Sequence, residues 1–335
     1  MKLVTCTGIL LSLAMIGCGS DPDSSTSSNP SASAFDPPAA PEGYTRIPAL
    51  TIHDVKPGGD VTYCQYIMAP FDRDMDVLDV SGYQSEFGHH AVALSYPDDG
   101  SLQVGDSIQC MGAEFTADPN SAGTGGGTFL GGIAGPGGEG QTLPEGVAFR
   151  LPKGNGILLN VHYLNTGTKT TDGDAVLDVK FAEIDPNRHI AAMFLNMNMS
   201  FDLAPSSRTT SSIDCVAQSD VQILMMTNHM HEYGANAKTE VVRADTAAIE
   251  VLRDDPMWSY EMQFNIQYTR WTVEQPFVLR AGDTIRTSCE WNNTTTEALA
   301  FPREMCIGVG FALATGENPT APACIGGTWY TSVGS

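Results

Sequence analysis

Positive charge is scarce in this sequence. Lys and Arg together number 17 against 39 Asp and Glu, which gives a formal net charge of −22 at pH 7. Proteins that bind a nucleic acid backbone neutralise its phosphates with cationic side chains. The charge balance therefore argues against nucleic acid as a partner.

Several other features are also missing. The apolar run from Ile9 to Ile16 is too short to span a bilayer, and hardly any segment keeps the 3.6-residue period of an amphipathic helix. No two cysteines show the CxxC spacing of thiol-redox and zinc motifs. The Gly-rich segment 121–140 lacks the Gly-Lys-Ser/Thr ending of a phosphate-binding loop, so we expect a flexible loop there.

The first residues predict export and lipid attachment. Lys2 precedes the apolar run, and Met15-Ile16-Gly17-Cys18 resembles a bacterial lipoprotein signal, in which cleavage precedes a lipidated cysteine. We therefore expect a signal peptide over residues 1–17, lipid on Cys18, and a membrane-anchored protein of the bacterial cell envelope, periplasmic or at the cell surface. An ordinary secretory signal with an incidental cysteine is the alternative, and it also implies export.

Residues 18–44 are predicted to form a flexible tether. Between Gly19 and Gly43 there are 7 Ser and 5 Pro among 25 residues, and Phe35 is the only aromatic residue. Such a composition buries too little apolar surface to offset the loss of chain entropy on folding.

The remaining chain predicts an all-β fold. Short apolar runs rich in β-branched residues alternate with turn signals such as Pro57-Gly58-Gly59-Asp60 and Asp172-Gly173, a pattern typical of β-sandwiches. The chain is long enough for two domains, and the segment from Glu183 to Asn187 is the best candidate for their junction. We expect domains over residues 45–185 and 186–335.

Six cysteines remain once Cys6 of the signal peptide and the lipid-bearing Cys18 are set aside. An even number in an exported protein predicts three disulfides. Two of the six precede residue 185 and four follow it, so each predicted domain can pair its own cysteines. The six are Cys64, Cys110, Cys215, Cys289, Cys306 and Cys324.

Histidines give the strongest chemical signal. Side chains two residues apart on a strand share a face, so His229 and His231 could present two imidazoles to one metal ion. The neighbours His89 and His90 could share an ion only if their strand ends or bulges there. Taken alone, each of these histidines, like His162, could instead be a buried, hydrogen-bonded residue. His53 and His189 are interpreted as surface or packing residues.

Five short motifs follow one another in order over about residues 45 to 330. They are His89-His90, Leu143 to Leu151, Val161-His-Tyr163, His229-Met-His231 followed by Gly234, and Glu304-Met-Cys306. In order and spacing this set resembles the copper type II, ascorbate-dependent monooxygenases. The resemblance implies two antiparallel, jelly-roll-like β-sandwich domains that face each other across a solvent-filled cleft, with one copper on each domain.

The resemblance also implies the ligands of both coppers. The first domain's copper, which stores and delivers an electron, would be bound by His89, His90 and His162. The second domain's copper, where O2 and substrate meet, would be bound by His229, His231 and Met305. A thioether is a soft ligand that favours Cu(I), although a strand methionine can also simply fill a core.

By the same resemblance, the cysteines would pair as Cys64 with Cys110, Cys215 with Cys324, and Cys289 with Cys306. Two positions depart from the peptide-hydroxylating members, which grip a substrate carboxylate with Arg and Asn where this chain has Thr227 and Ile307. Neither residue can form an Arg–carboxylate fork, which argues against peptide amidation. Asn160 replaces a Gln of those enzymes.

The implied function is hydroxylation of a C–H bond in a small organic substrate, with O2, two copper ions per chain, and ascorbate or another one-electron reductant. A membrane-tethered copper-binding or copper-storage lipoprotein without oxygenase activity is the alternative. A structural surface protein with degenerate sites is a third reading, which the presence of all six candidate ligands disfavours.

Lipid attachment can be tested by changing the predicted acceptor. Cys18→Ala should leave the precursor uncleaved by the lipoprotein peptidase, because cleavage depends on the lipid-bearing cysteine. Mass spectrometry of the exported protein measures this. An unchanged mature mass would show that Cys18 is not the lipid acceptor.

Overall fold

A computed structural model describes residues 35–98, 100, 102–105, 107–110, 128–140, 142–314 and 321–331. The predicted signal peptide, Cys18 and the tether up to residue 34 lie outside these residues. Within them, no helix is long and apolar enough to cross a membrane.

The all-β prediction is confirmed. Regular structure in the described residues consists of strands and a single 3₁₀ turn. Strands of the first half (residues 45–185) are β1 (Thr45–Val55), β2 (Asp60–Ile67), β3 (Met75–Gln84), β4 (Gly88–Pro97), β5 (Ser107–Gln109), β6 (Thr128–Ala134), β7 (Gly137–Glu139), β8 (Val147–Leu151), β9 (Asn155–Leu164) and β10 (Thr171–Ala182).

The second half (residues 186–331) holds the remaining elements. They are β11 (His189–Asn198), β12 (Asp202–Leu203), β13 (Ser207–Val216), β14 (Val221–His229), β15 (Gly234–Val242), β16 (Ile249–Asp255), the 3₁₀ turn η1 (Tyr260–Gln263), β17 (Thr269–Arg270), β18 (Phe277–Leu279), β19 (Thr284–Asn293), β20 (Leu299–Ala300), β21 (Cys306–Leu313), β22 (Ala323–Ile325) and β23 (Thr328–Tyr330).

Each half contributes strands to two sheets that share a core. In the first half, the sheet β5-β2-β9-β4-β6 packs with the strands β1-β10-β3-β8, and one core cluster contains both Leu159 of β9 and Leu177 of β10. In the second half, a cluster unites Phe194 of β11 and Ile223 of β14 with Ile285 of the sheet β13-β19-β15-β16. Apolar side chains buried between the layers hold the sheets of each half together.

The two halves are continuous in hydrogen bonding and in packing. Strand β8 pairs in parallel with β11 through two residue pairs, so β1-β10-β3-β8 and β11-β21-β14-β17 belong to one sheet. The ring of Phe311 in β21 lies 5.3 Å from that of Phe129 and 5.2 Å from that of Phe149. Division into two sandwich domains at residue 185, with a solvent-filled cleft, stays a prediction.

The predicted flexible loop over residues 121–140 is wrong for its described part. Residues Thr128–Ala134 form β6, which pairs with β4. A Cβ added to Gly132 would lie 2.7 Å from the carbonyl oxygen of Ala91 and 2.9 Å from the Val92 side chain. Glycine is therefore required by a close approach between strands, a role that Gly often has inside sheets.

The described cysteines form the three pairs that the family resemblance implies. Disulfides join Cys64 to Cys110, Cys215 to Cys324, and Cys289 to Cys306. The last one ties β19 to the first residue of β21, immediately after Met305. Three disulfides indicate folding in an oxidising compartment, consistent with an envelope or extracellular location.

Removing the Cys289–Cys306 bridge should destabilise the protein. A double variant, Cys289→Ala with Cys306→Ala, should lose about 2 to 5 kcal/mol of unfolding free energy, the usual cost of deleting a native disulfide. Urea denaturation measures the loss. Mass mapping of the wild type serves as the control, and free thiols at these two positions would contradict the prediction.

Candidate functional site

Three histidines of the first half converge because two adjacent strands carry them. His90 on β4 lies directly opposite His162 on β9, while the register shifts between Gly88 and His90. His89 is thus the extra residue of a β-bulge, which turns its ring toward the same site as its neighbour. The sequence allowed a shared ion only if the strand ends or bulges here, and the structure has a bulge.

The three rings form a compact cluster. Their ring centroids lie 4.5 Å apart for His89 and His162, 5.1 Å for His90 and His162, and 5.3 Å for His89 and His90. One nitrogen of each ring lies within 4.8 Å of the others. These are distances that a shared metal ion can bridge.

Two nitrogens in this cluster face each other directly. Nδ1 of His89 lies 3.1 Å from Nδ1 of His90. The opposite nitrogens have oxygen partners, since Nε2 of His89 donates to Gln263 Oε1 and Nε2 of His90 donates to Asn160 Oδ1. A neutral imidazole has one N–H, so both Nδ1 atoms present lone pairs to the space between the rings.

The second pair of histidines lies at the end of β14. His229 is the last residue of that strand and His231 follows two residues later, with ring centroids 5.1 Å apart. Nδ1 of His231 donates to the carbonyl oxygen of Arg303 at 3.1 Å, which leaves its Nε2 as the acceptor nitrogen. The sequence predicts one strand that carries both histidines. In the structure β14 ends at His229, and His231 lies just beyond it.

Met305 precedes β21 and is buried. It belongs to an apolar cluster with Met197 and Ile307, and Ile307 lies opposite His229 in the paired strands β21 and β14. The described contacts of Met305 are therefore with apolar side chains near the second histidine pair.

Glu304 supports the same turn, a role that its place in the motif Glu304-Met-Cys306 did not reveal. Its buried carboxylate accepts the backbone N–H of Tyr233 at 2.9 Å and of His231 at 3.4 Å. Burial raises the pKa of Glu304 to about 7. These hydrogen bonds hold the backbone that carries His231.

The two histidine sets are in contact. The ring centroids of His89 and His231 lie 5.6 Å apart. At this point side chains of the two halves pack directly against each other. The sequence predicted each set but not this contact, because His89 and His231 belong to different halves.

Burial keeps four of these rings neutral. Desolvation lowers the pKa of His90 to about 3 and that of His231 to about 4, and it holds the pKa values of His89 and His229 well below the usual range. Neighbouring imidazoles lower these values further. A neutral imidazole is the form that binds metal ions.

A cavity of about 390 Å³ lies beside both histidine sets. Its floor is one face of the sheet β11-β21-β14, where residues directly opposite each other form successive rows. The floor residues are Met193, Leu195, Thr227, His229, Ile307, Val309 and Phe311.

The opposite wall comes from the first half and from the segment 260–270 of the second half. It includes His89, His90 and Phe129 of the first half, and Phe264 and Tyr268 of the segment. The described lining contains no Asp or Glu, and Arg270 is its one Lys or Arg. The cavity therefore suits a mainly apolar molecule.

A comparison with protein families matches residues 191–309 to the C-terminal domain of the copper type II ascorbate-dependent monooxygenases. The matched segment covers about a third of the chain and contains His229, His231 and Met305. It supports this family, with its copper-dependent oxidoreductase chemistry and ascorbate as reductant. The first histidine set lies outside the matched segment.

Comparisons with curated proteins and with solved structures give no further information on function. No curated protein matches. Similar solved structures include a protein of the triple jelly-roll fold and turret assembly of an archaeal virus, with 10% identity and a TM-score of 0.23, covering 85% of this chain and 62% of that one. Structures of infectious bursal disease virus strains Gx and Gt have 9% identity and TM-scores of 0.20 and 0.17. They cover 82% and 85% of this chain and 74% and 77% of theirs. These TM-scores carry no argument about function.

Loss of the Glu304 carboxylate should destabilise the turn that holds His231. Glu304→Ala leaves the half-buried N–H of Tyr233 and the buried N–H of His231 without an acceptor, which should cost about 1 to 3 kcal/mol of unfolding free energy. Glu304→Gln keeps an acceptor oxygen and should lose less. Glu297→Ala, at an exposed side chain, is the matched control. Equal denaturation midpoints for all three variants would contradict the prediction.

Proposed function

We propose that the protein is a copper monooxygenase that inserts one oxygen atom of O2 into a C–H bond of a small organic substrate. Ascorbate or another external one-electron reductant would supply the electrons. One observation carries the proposal: two buried histidine sets, one of them inside the family match, border a single apolar cavity.

The donor atoms fit copper. His89, His90 and His162 would hold one ion, because two unprotonated Nδ1 atoms 3.1 Å apart repel each other unless a cation lies beside them. His229, His231 and Met305 would hold the other, and the thioether favours Cu(I) over zinc, magnesium or calcium. Copper bound by these residues would supply O2 activation and one-electron transfer.

The chain itself would bind and orient the substrate. A cavity of about 390 Å³ is within the size range of small-molecule sites. Its apolar floor places a bound molecule beside His229, which lies opposite Ile307 in the paired strands β14 and β21. Thr227 and Ile307, both in the floor, offer no charge to a peptide carboxylate. Positioning of one C–H bond against the reacting centre is the main contribution that such a site can make.

The location we propose is the bacterial cell envelope, with the protein anchored by lipid on Cys18. Three disulfides support an oxidising compartment. The Ser- and Pro-rich residues that follow Cys18 would then separate the lipid from the folded part, which begins with β1 at Thr45.

The decisive experiment measures copper per chain together with ascorbate-driven O2 uptake by the purified protein. The proposal expects two copper ions and reductant-dependent O2 uptake that forms a hydroxylated product. Copper binding without such uptake would favour a copper-binding or copper-storage lipoprotein. Absence of tight copper binding would exclude both.

Met305→Ile tests the soft ligand of the second site. This variant should keep His229 and His231 but lose the thioether that favours Cu(I), so Cu(I) affinity at that site should fall and product formation should drop to background. Competition with a Cu(I) chelator measures the affinity. Met257→Ile, at a residue 83% exposed, is the control. Normal Cu(I) affinity and turnover in Met305→Ile would mean that Met305 only fills the core.

His90→Ala tests the other set. It should leave Cu(I) binding by His229, His231 and Met305 intact, while coupled turnover fails because the electron-storing site loses a ligand. Product assays and chelator competition together separate the two effects. His53→Ala, which changes an exposed histidine, should behave as wild type. Full turnover in His90→Ala would falsify the role assigned to the first set.

A further inference from the structure

Each histidine of the first set points its Nε2 at a different oxygen atom. Nε2 of His89 lies 2.8 Å from Gln263 Oε1, that of His90 lies 3.2 Å from Asn160 Oδ1, and that of His162 lies 2.6 Å from Asp60 Oδ1. Asp60 and Asn160 belong to the same half as the histidines. Gln263 belongs to the other half, 174 residues from His89 along the chain.

We propose that Gln263 is a positioning residue that makes Nδ1 the metal-binding nitrogen of His89, so that the first histidine set is complete only when the second half contacts it. The inference depends on the proposed function for the identity of the ion. The hydrogen-bonding role of Gln263 does not.

The orientation of the Gln263 amide is set by its own hydrogen bonds. Gln263 is the last residue of η1 and only 3% exposed. Its Nε2 donates to the carbonyl oxygen of Tyr260 at 2.9 Å, so its Oε1 faces His89 as an acceptor. An acceptor at that position selects the tautomer of His89 that carries its hydrogen on Nε2.

The segment 260–270, which contains Gln263, packs against the first half. The ring of Phe264 lies 5.4 Å from that of His89, and a Cβ on Gly135 would come within 3.4 Å of Phe264 Cβ. Farther along, Arg270 donates to the carbonyl oxygen of Thr142. These contacts keep the acceptor oxygen in place against His89.

Without this acceptor, the site has a competing arrangement. If His89 carried its hydrogen on Nδ1, that N–H could donate across the 3.1 Å gap to Nδ1 of His90. The hydrogen on His89 Nδ1 would then occupy the lone pair of His90 Nδ1, and neither nitrogen could bind an ion between the rings. Gln263 opposes this closed arrangement by engaging the only hydrogen of the neutral ring, as outer hydrogen-bond partners of metal-binding histidines do.

The tautomer can be read directly in the metal-free, full-length protein. Long-range ¹⁵N–¹H correlation spectra of the ¹⁵N-histidine-labelled chain distinguish Nδ1–H from Nε2–H rings. Wild type should show the Nε2–H tautomer at His89. Gln263→Met removes the acceptor at similar side-chain length and should populate Nδ1–H. Gln263→Glu keeps an acceptor oxygen and should restore Nε2–H, while Gln267→Met, at an exposed glutamine of the same segment, should change nothing.

Copper affinity gives the second readout. In a His229→Ala background, which removes a candidate ligand of the other site, Gln263→Met should weaken Cu(I) binding by the first set about 10- to 100-fold, the usual effect of losing such a partner. Gln263→Glu should recover most of the affinity. Gln267→Met should bind like its parent.

The outcomes separate this inference from the proposed function. An Nδ1–H ring at His89 in wild type, or unchanged tautomer and affinity in Gln263→Met, overturns the role of Gln263 while leaving the oxygenase proposal standing. If Gln263→Met does not fold, an Nδ1–H ring at His89 in the wild type or in Gln263→Glu still overturns the role of Gln263. The expected tautomers in a protein that binds no copper would support the positioning role and remove the oxygenase proposal.

Discussion

Desolvation of imidazole rings is the constraint on which this structure depends. Five histidines meet in one region, and burial lowers the pKa of His90 to about 3 and that of His231 to about 4. Buried polar atoms need hydrogen-bond partners, and Gln263, Asn160 and Asp60 supply oxygen atoms for three of the rings. What remains is a set of unprotonated nitrogens, which is the form of histidine that a soft or borderline metal requires.

The pairing register of neighbouring strands brings these histidine rings together. β4 and β9 place His90 opposite His162, and β14, β21 and β11 place His229 in line with Ile307 and Met197. Because residues directly opposite each other share a face, the same pairing that positions His229 also builds the apolar floor of the cavity. The histidines and the binding surface are therefore one feature of the fold.

Of the pair His229 and His231, only His229 is part of a strand. His231 is held by hydrogen bonds to the segment 303–304. β14 ends at His229, so His231 depends on the carbonyl of Arg303 and on the carboxylate of Glu304. Two residues later, Cys306 is fastened to β19 by its disulfide. The segment 303–306 thus combines a hydrogen-bond acceptor, a candidate thioether ligand and a covalent anchor within four residues.

By itself, the sequence determined what depends on short-range pattern. Alternating apolar runs and turn signals predicted the all-β fold, which the strands of both halves confirm. Strand geometry alone also required that the strand end or bulge at His89-His90 if both were to bind one ion. Only the tertiary structure decided that Gly132 belongs to a strand, because its requirement for glycine comes from β4 across the sheet. It also decided that Gln263 meets His89, since no local pattern links two residues 174 positions apart.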